Sequence, residues 1–351
     1  MKSWSRSKLA FLSVGLLAIH AANSQDVKLG ENELDSVIDE IKSTEPPKHI
    51  LMYHPWSTKS HMMQQTALLR GLLAKGYEVT AVFPHPTNLV QNGYTEVVVE
   101  DVFYKISKVM LDSMIDQTTT SIWSYLRLVP IITKMMNDEF QGVRDLEEML
   151  IKDLSSQNKS VDALIFTSQF GFTATELYAH YQCPLVSMSP PGWASRITKY
   201  SGNSENPAYQ PDQVIPAIEP LTFSQRLVNT VFYTILDFDT FGWIWFPLII
   251  DYELFDIDGY RKILENMSLI LMCSHFVTQS PRALTANTVE VGGIHCREGQ
   301  PLPEDLQMFL DGHPEGVVYV SFGSSVKPSQ MKAEQKQIFL DTIHQLKHPV
   351  I

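Results

Sequence analysis

Residues 49–83 read HILMYHPWSTKSHMMQQTALLRGLLAKGYEVTAVF, and this stretch decides the fold class. His49-Ile50-Leu51-Met52-Tyr53 is an apolar run of strand length, followed by the loop Pro55-Trp56-Ser57-Thr58-Lys59-Ser60. Met62, Leu68, Leu69, Leu72 and Leu73 then recur at helical spacing, and Gly76 supplies a stop. Tyr77-Glu78-Val79-Thr80-Ala81-Val82-Phe83 is a second strand. Strand, helix and strand in close succession make a βαβ unit, whose right-handed crossover implies parallel pairing. The expected class is α/β with a parallel sheet.

The pattern returns downstream. Residues 161–167 read as a strand, 171–181 as a helix and 184–188 as another strand. Between the two units, residues 102–155 are mostly helical, with Pro130 as a break. Residues 189–220 are rich in Pro, Gly, Asn and Ser, and form a loop long enough to suggest a functional role. Helical segments follow at 222–238 and 249–266, and a strand at 269–273 is expected to be the last of a first domain covering residues 49–290. Val291-Gly292-Gly293-Ile294 reads as connecting chain. In residues 291–351 a helix opens at Pro303, residues 317–322 form a buried-type strand, 334–346 are helical, and His348-Pro349-Val350-Ile351 starts a further strand. These residues read as the beginning of a second α/β domain.

Composition narrows the function classes. The 351 residues are 44% hydrophobic and 19% charged, which fits a chain with a core and excludes a disordered one. The 27 basic and 39 acidic side chains give a net charge of −12, which argues against nucleic acid as a partner. The 3 cysteines are too scattered for a disulfide framework or thiolate zinc site, and the 11 histidines include no HExxH, so no metal is expected.

Lys2, Arg6 and Lys8, an apolar run at residues 9–19, and Ala22-Asn23-Ser24 have the layout of a secretory signal peptide over residues 1–24. An uncleaved anchor is the alternative, although the run is shorter than the ~20 residues a spanning helix needs. Cleavage would remove three basic residues and take the charge from −12 to −15. Residues 25–48 form a polar, acidic extension. Asn158-Lys159-Ser160 and Asn266-Met267-Ser268 are glycosylation sequons that agree with a secretory route. Residues 241–250, FGWIWFPLII, are too few to cross a bilayer; they suit a buried helix, a membrane-surface contact or the wall of an apolar pocket.

Two places carry chemistry. The first βα turn lacks GxGxxG but sets Ser60-His61 at a helix N-terminus, which disfavours imidazolium and keeps His61 a neutral base near pH 7. Taken alone, a histidine there also fits a structural or merely exposed role. Gly323-Ser324-Ser325, after a strand and before a helix, offers backbone amides and a hydroxyl to a phosphate, although Gly-Ser is also a common turn.

Ser60-His61 with its apolar helix and Gly76-Tyr77-Glu78-Val79-Thr80 resembles the opening of the UDP-glycosyltransferases, particularly the invertebrate ones. The similarity continues through Gly202-Asn203-Ser204-Glu205-Asn206-Pro207-Ala208-Tyr209, Leu221-Thr222-Phe223-Ser224-Gln225-Arg226-Leu227, Val291-Gly292-Gly293-Ile294-His295 and Leu302-Pro303-Glu304-Asp305-Leu306 to Val317-Val318-Tyr319-Val320-Ser321-Phe322-Gly323-Ser324. The resemblance implies a GT-B architecture, in which two Rossmann-like domains face a cleft. The first binds a small lipophilic acceptor and the second a UDP-sugar. It implies that His61 is the general base of an inverting transfer to an acceptor hydroxyl, that Gly323 and Ser324 belong to the donor-phosphate loop, and that no metal or cofactor takes part. It implies a location in the endoplasmic reticulum lumen and a detoxifying role.

Two departures stand out. The family's acidic partner of the histidine falls at Thr167, which brings no charge to offset imidazolium; Glu176, further on, is the nearest downstream carboxylate. The family's donor-binding signature and its membrane anchor fall beyond Ile351, so this chain alone is expected to be inactive. The alternative expectation, favoured by Thr167, is a non-catalytic protein of the same build that binds or carries apolar small molecules.

Overall fold

The apolar runs form a single parallel sheet because each is short, β-compatible and apolar on both faces. In the computed structural model, which describes residues 48–100, 122–192, 200–203, 206–211, 220–236, 256–277, 282–323 and 328–351, seven strands pair. They are β1 (His49–Tyr53), β2 (Glu78–Phe83), β3 (Tyr94–Val98), β4 (Ala163–Thr167), β5 (Leu185–Ser189), β6 (Met267–Met272) and β7 (Thr288–Glu290). Their order is β3-β2-β1-β4-β5-β6-β7, parallel throughout.

Period-two alternation divides the strand side chains between two cores. Ile50, Met52, Ala81, Phe83 and Ile165 pack with the α1 helix (Lys59–Ala74) through Met62, Leu69 and Leu72. Leu51, Tyr53, Leu164 and Phe166 pack on the opposite face with α2 (Ile122–Ser156), α3 (Thr175–Tyr181) and α5 (Ile257–Glu265), the last preceded in the chain by α4 (Phe223–Leu236). The α/β class and the first βαβ unit are as expected. Gly76, with φ +84, ends α1 in the left-handed region and turns the chain into β2.

Several expectations need correction. Pro130 does not break the second helix: α2 runs from Ile122 to Ser156 through it, because proline removes one backbone donor and leaves the rest of the ladder intact. The segment expected to be helical from residue 171 begins as a 3-10 turn over Ser168–Ala174 before α3. β6 is not the last strand of its sheet, since β7 adds beside it with Leu271 opposite Val289. β3 was absent from the sequence reading; its burial is partial, so its apolar signal is weak.

Residues up to His295 on the C-terminal side of α2 belong to one compact unit and Cys296–Ile351 to a second. Val291 is fully buried in the first unit, and the Gly292 amide donates to the Ser274 carbonyl at 3.0 Å. A Cβ on Gly292 would lie 2.6 Å from that same oxygen, so the approach requires glycine.

The second unit contains α6 (Glu304–Asp311) and α7 (Ala333–His344). The buried strand expected at 317–322 is instead a single parallel bridge, Val318 to Val350, with Tyr319 76% exposed. One bridge supplies too little sheet to bury a strand's faces. Among the described residues, no helix is long and apolar enough to cross a membrane. Residues 1–47, 102–121, 241–250 and parts of the 189–220 loop lie outside the described residues, and with them the signal peptide, most of the polar extension and the FGWIWFPLII stretch.

Candidate functional site

The order in which strands are added reverses between β1 and β4, because β2 and β3 are added on one side of β1 and β4 to β7 on the other. Open α/β sheets bind ligands outside the carboxyl ends of the strands at such a switch point. Tyr53 pairs with Phe166, so His54 and Thr167, at the carboxyl ends of β1 and β4, lie side by side. The His54 Nδ1 is 2.9 Å from Thr167 Oγ1. The Gln65 amide nitrogen, from α1, donates to Thr167 Oγ1 at 3.0 Å and reaches His54 Nδ1 at 3.2 Å. Ser57 donates to the Gln65 carbonyl oxygen at 2.7 Å, closing a buried polar network under the helix start.

His61 occupies the first turn of α1, as expected. Thr58 caps that helix, accepting the His61 backbone N–H at 3.3 Å. The His61 ring is half-buried, its Nδ1 is sealed without a hydrogen-bond partner, and burial lowers its pKa. The ring therefore stays neutral at pH 7, with desolvation as the leading cause. Trp56 fixes the loop that carries these groups. It is 2% exposed and packs edge-on to Phe170 and Phe172, with ring centroids 5.7 and 5.6 Å away.

The other expected site residues are placed as follows. Thr167 is buried at the end of β4, but its hydroxyl is engaged by His54 and Gln65 rather than by His61. Glu176 faces Arg144 at 3.7 Å. Gly323 lies in the second unit, exposed, with φ +69 and its amide donating to Ser321 Oγ at 3.3 Å. Ser324 lies outside the described residues.

Sequence reading missed His54, Gln65 and Ser57. One signal was available: Gln65 interrupts the otherwise apolar stripe Met62, Leu69, Leu72 on α1, and a polar residue on a buried stripe requires a partner.

A family model described as "UDP-glucoronosyl and UDP-glucosyl transferase" matches residues 50–351. UDP-glucosyltransferase 2 of Dactylopius coccus is 27% identical over 89% of this chain and 60% of its own length. UDP-glucuronosyltransferase 2B7 of Homo sapiens is 26% identical over 84% of this chain and 58% of its own. The chain thus spans less than two thirds of the length of these relatives. A solved structure of Arabidopsis thaliana UGT89C1 complexed with UDP-L-rhamnose aligns over 88% of this chain and 64% of that one, with 16% identity and a TM-score of 0.48.

Proposed function

The chain belongs to the UDP-glucuronosyl and UDP-glucosyl transferases, and from that membership we propose that it supplies the acceptor side and the base of a sugar transfer in a GT-B enzyme. The reaction is transfer of a hexose or glucuronosyl group from a UDP-sugar to a hydroxyl of a small lipophilic molecule. His61 takes the hydroxyl proton, the oxygen attacks C1 of the sugar, and the C1–O bond to phosphate breaks. UDP leaves with the bonding pair, and C1 inverts. The observation that carries this reading is His61 itself: a half-buried, neutral imidazole in the first turn of α1, which follows β1 at the switch point of a parallel sheet. Gly323 and Ser324 are assigned to the donor-phosphate loop. The signal-like N-terminus supports synthesis into the endoplasmic reticulum, with glycosylation at its sequons, and apolar acceptors there support a detoxifying role.

A second reading, binding or carriage of apolar molecules without chemistry, is favoured by Thr167. No carboxylate stands at that position, and the hydroxyl there already serves His54 and Gln65. The experiment extends the chain by the C-terminal segment its relatives carry and measures UDP release with phenols and lipophilic alcohols. Transfer predicts that His61→Ala lowers the rate by ~10²–10⁴. No turnover in the extended parent, with retained ligand binding, selects the carrier. The 351-residue chain alone is expected to show no sub-millimolar UDP-sugar binding by calorimetry.

A further inference from the structure

The β1–α1 turn and the first turn of α1 carry one imidazole each, His54 and His61, and the unpartnered nitrogens of both are buried. His54 is 1% exposed and stacks on Phe83, with ring centroids 5.7 Å apart and planes at 11°. An amide nitrogen only donates, so Gln65 Nε2 within reach of His54 Nδ1 requires that nitrogen to be an acceptor. Thr167, which accepts from the same amide, has its own proton free to give to Nδ1, and this points the same way. His54 is therefore the tautomer with its proton on Nε2. That N–H is sealed from solvent and meets no protein acceptor. His61 Nδ1 is likewise sealed and unpartnered. His61 stands one turn before Gln65 on the same face of α1, and Gln65 reaches His54, so the two rings face the same pocket of the turn. Buried polar atoms rarely stay unpaired, and an interior water satisfies two to four of them.

We propose that His54 is a positioning residue for His61, the two rings donating from His54 Nε2–H and His61 Nδ1–H to one shared buried water oxygen. This relay holds the His61 proton on Nδ1 and leaves Nε2 bare to receive a proton, a role that rests on the reading of His61 as the base. Ser57, Gln65 and Thr167 set the relay's direction from behind. The result is a neutral support for the base where the family places a charged one.

The test is nitrogen-15 spectroscopy of histidine-labelled 351-residue chain, which distinguishes bare from protonated ring nitrogens without any turnover. The expected result is Nε2–H for His54 and Nδ1–H for His61 at pH 7. His54→Phe, which keeps a ring against Phe83, should shift His61 towards the Nε2–H tautomer. His54→Gln, whose amide restores a donor near the Nε2 position, should return it. Gln65→Glu serves where the phenylalanine variant fails to fold: its carboxylate accepts from His54 Nδ1–H, so the His54 proton moves to Nδ1 and His61 responds. A His61 tautomer that ignores both His54→Phe and Gln65→Glu overturns the proposal, as does Nε2–H on His61 in the parent. If the tautomers behave as expected while the extended chain shows no transfer, only the assignment of His61 as base fails.

Discussion

Glu147 is a carboxyl group with 1% exposure, held between sheet and helix. One oxygen accepts the Leu177 backbone N–H at 3.2 Å, on the first turns of α3. Burial pushes its pKa up to about 8, and the hydrogen bond from Leu177 opposes this only in part. The unfolded chain releases that proton near the ordinary carboxyl value of 4.5 while the folded chain retains it. The group's contribution is therefore fully present below pH 4.5 and is lost as pH rises towards about 8. Glu147→Gln should remove this slope: its urea midpoint at pH 8 should exceed that of the parent, and the two should converge near pH 4. Equal midpoints at pH 8 would contradict the assignment. His54, held down to about 3 by burial and by His61, adds a slope of opposite sign: below 6.5 the unfolded chain takes up its proton and the folded chain does not, so this group's contribution falls as pH falls, equally in parent and variant. At this scale the sequence showed His61 in its helix turn, because capping and periodicity are local. It could not show His54 meeting Thr167, which lies 113 residues away and is brought near only by the β1–β4 register.

Element boundaries follow from close contacts that a one-dimensional pattern does not carry. The Ser168–Ala174 turn presses onto β4 and α5: a Cβ added at Gly171 would meet Phe166 at 2.9 Å and Tyr260 at 3.2 Å. Both rings are buried and have little room to retreat. Gly171→Ala is expected to cost about 1–3 kcal/mol by overpacking, read as a lower denaturation midpoint with an unchanged slope. Thr58 acts at the start of α1, where its hydroxyl takes the His61 amide. Thr58→Ala should cost ~1 kcal/mol, and Thr58→Ser, which keeps the oxygen, should recover most of it. Equal loss in both variants would assign the effect to packing rather than capping. The long apolar strands were legible for the reason that β3 and β7 were not. β1, β4 and β5 are buried along their whole length and so need apolar runs, whereas β3 and β7, at the two edges of the sheet, are largely half-exposed and carry mixed residues.

The two units differ in what supports them. The first has a core on both faces of its sheet, whereas no described residue of 296–351 is buried. α6 and α7 have no buried side chain, and Ile338 and Tyr319 are 66% and 76% exposed. The sequence signalled the helices of this unit correctly as to type but not the strand at 317–322, because periodicity reports which residues seek a partner. It cannot report whether the partner is present, and one bridge between Val318 and Val350 does not provide it. Stability should divide accordingly. In hydrogen exchange, the amides of β1, β4 and β5 should open only with global unfolding, while those of α6 and α7 should exchange near the rate of a free peptide, since isolated helices this short are marginal in water. In the chain extended by its relatives' C-terminal segment, added strands can cover the faces of residues 317–322 and α7, and protection there should rise by orders of magnitude while that of β1 is unchanged. Strong protection of α7 in the 351-residue chain would show that residues 296–351 bury an apolar face without that segment.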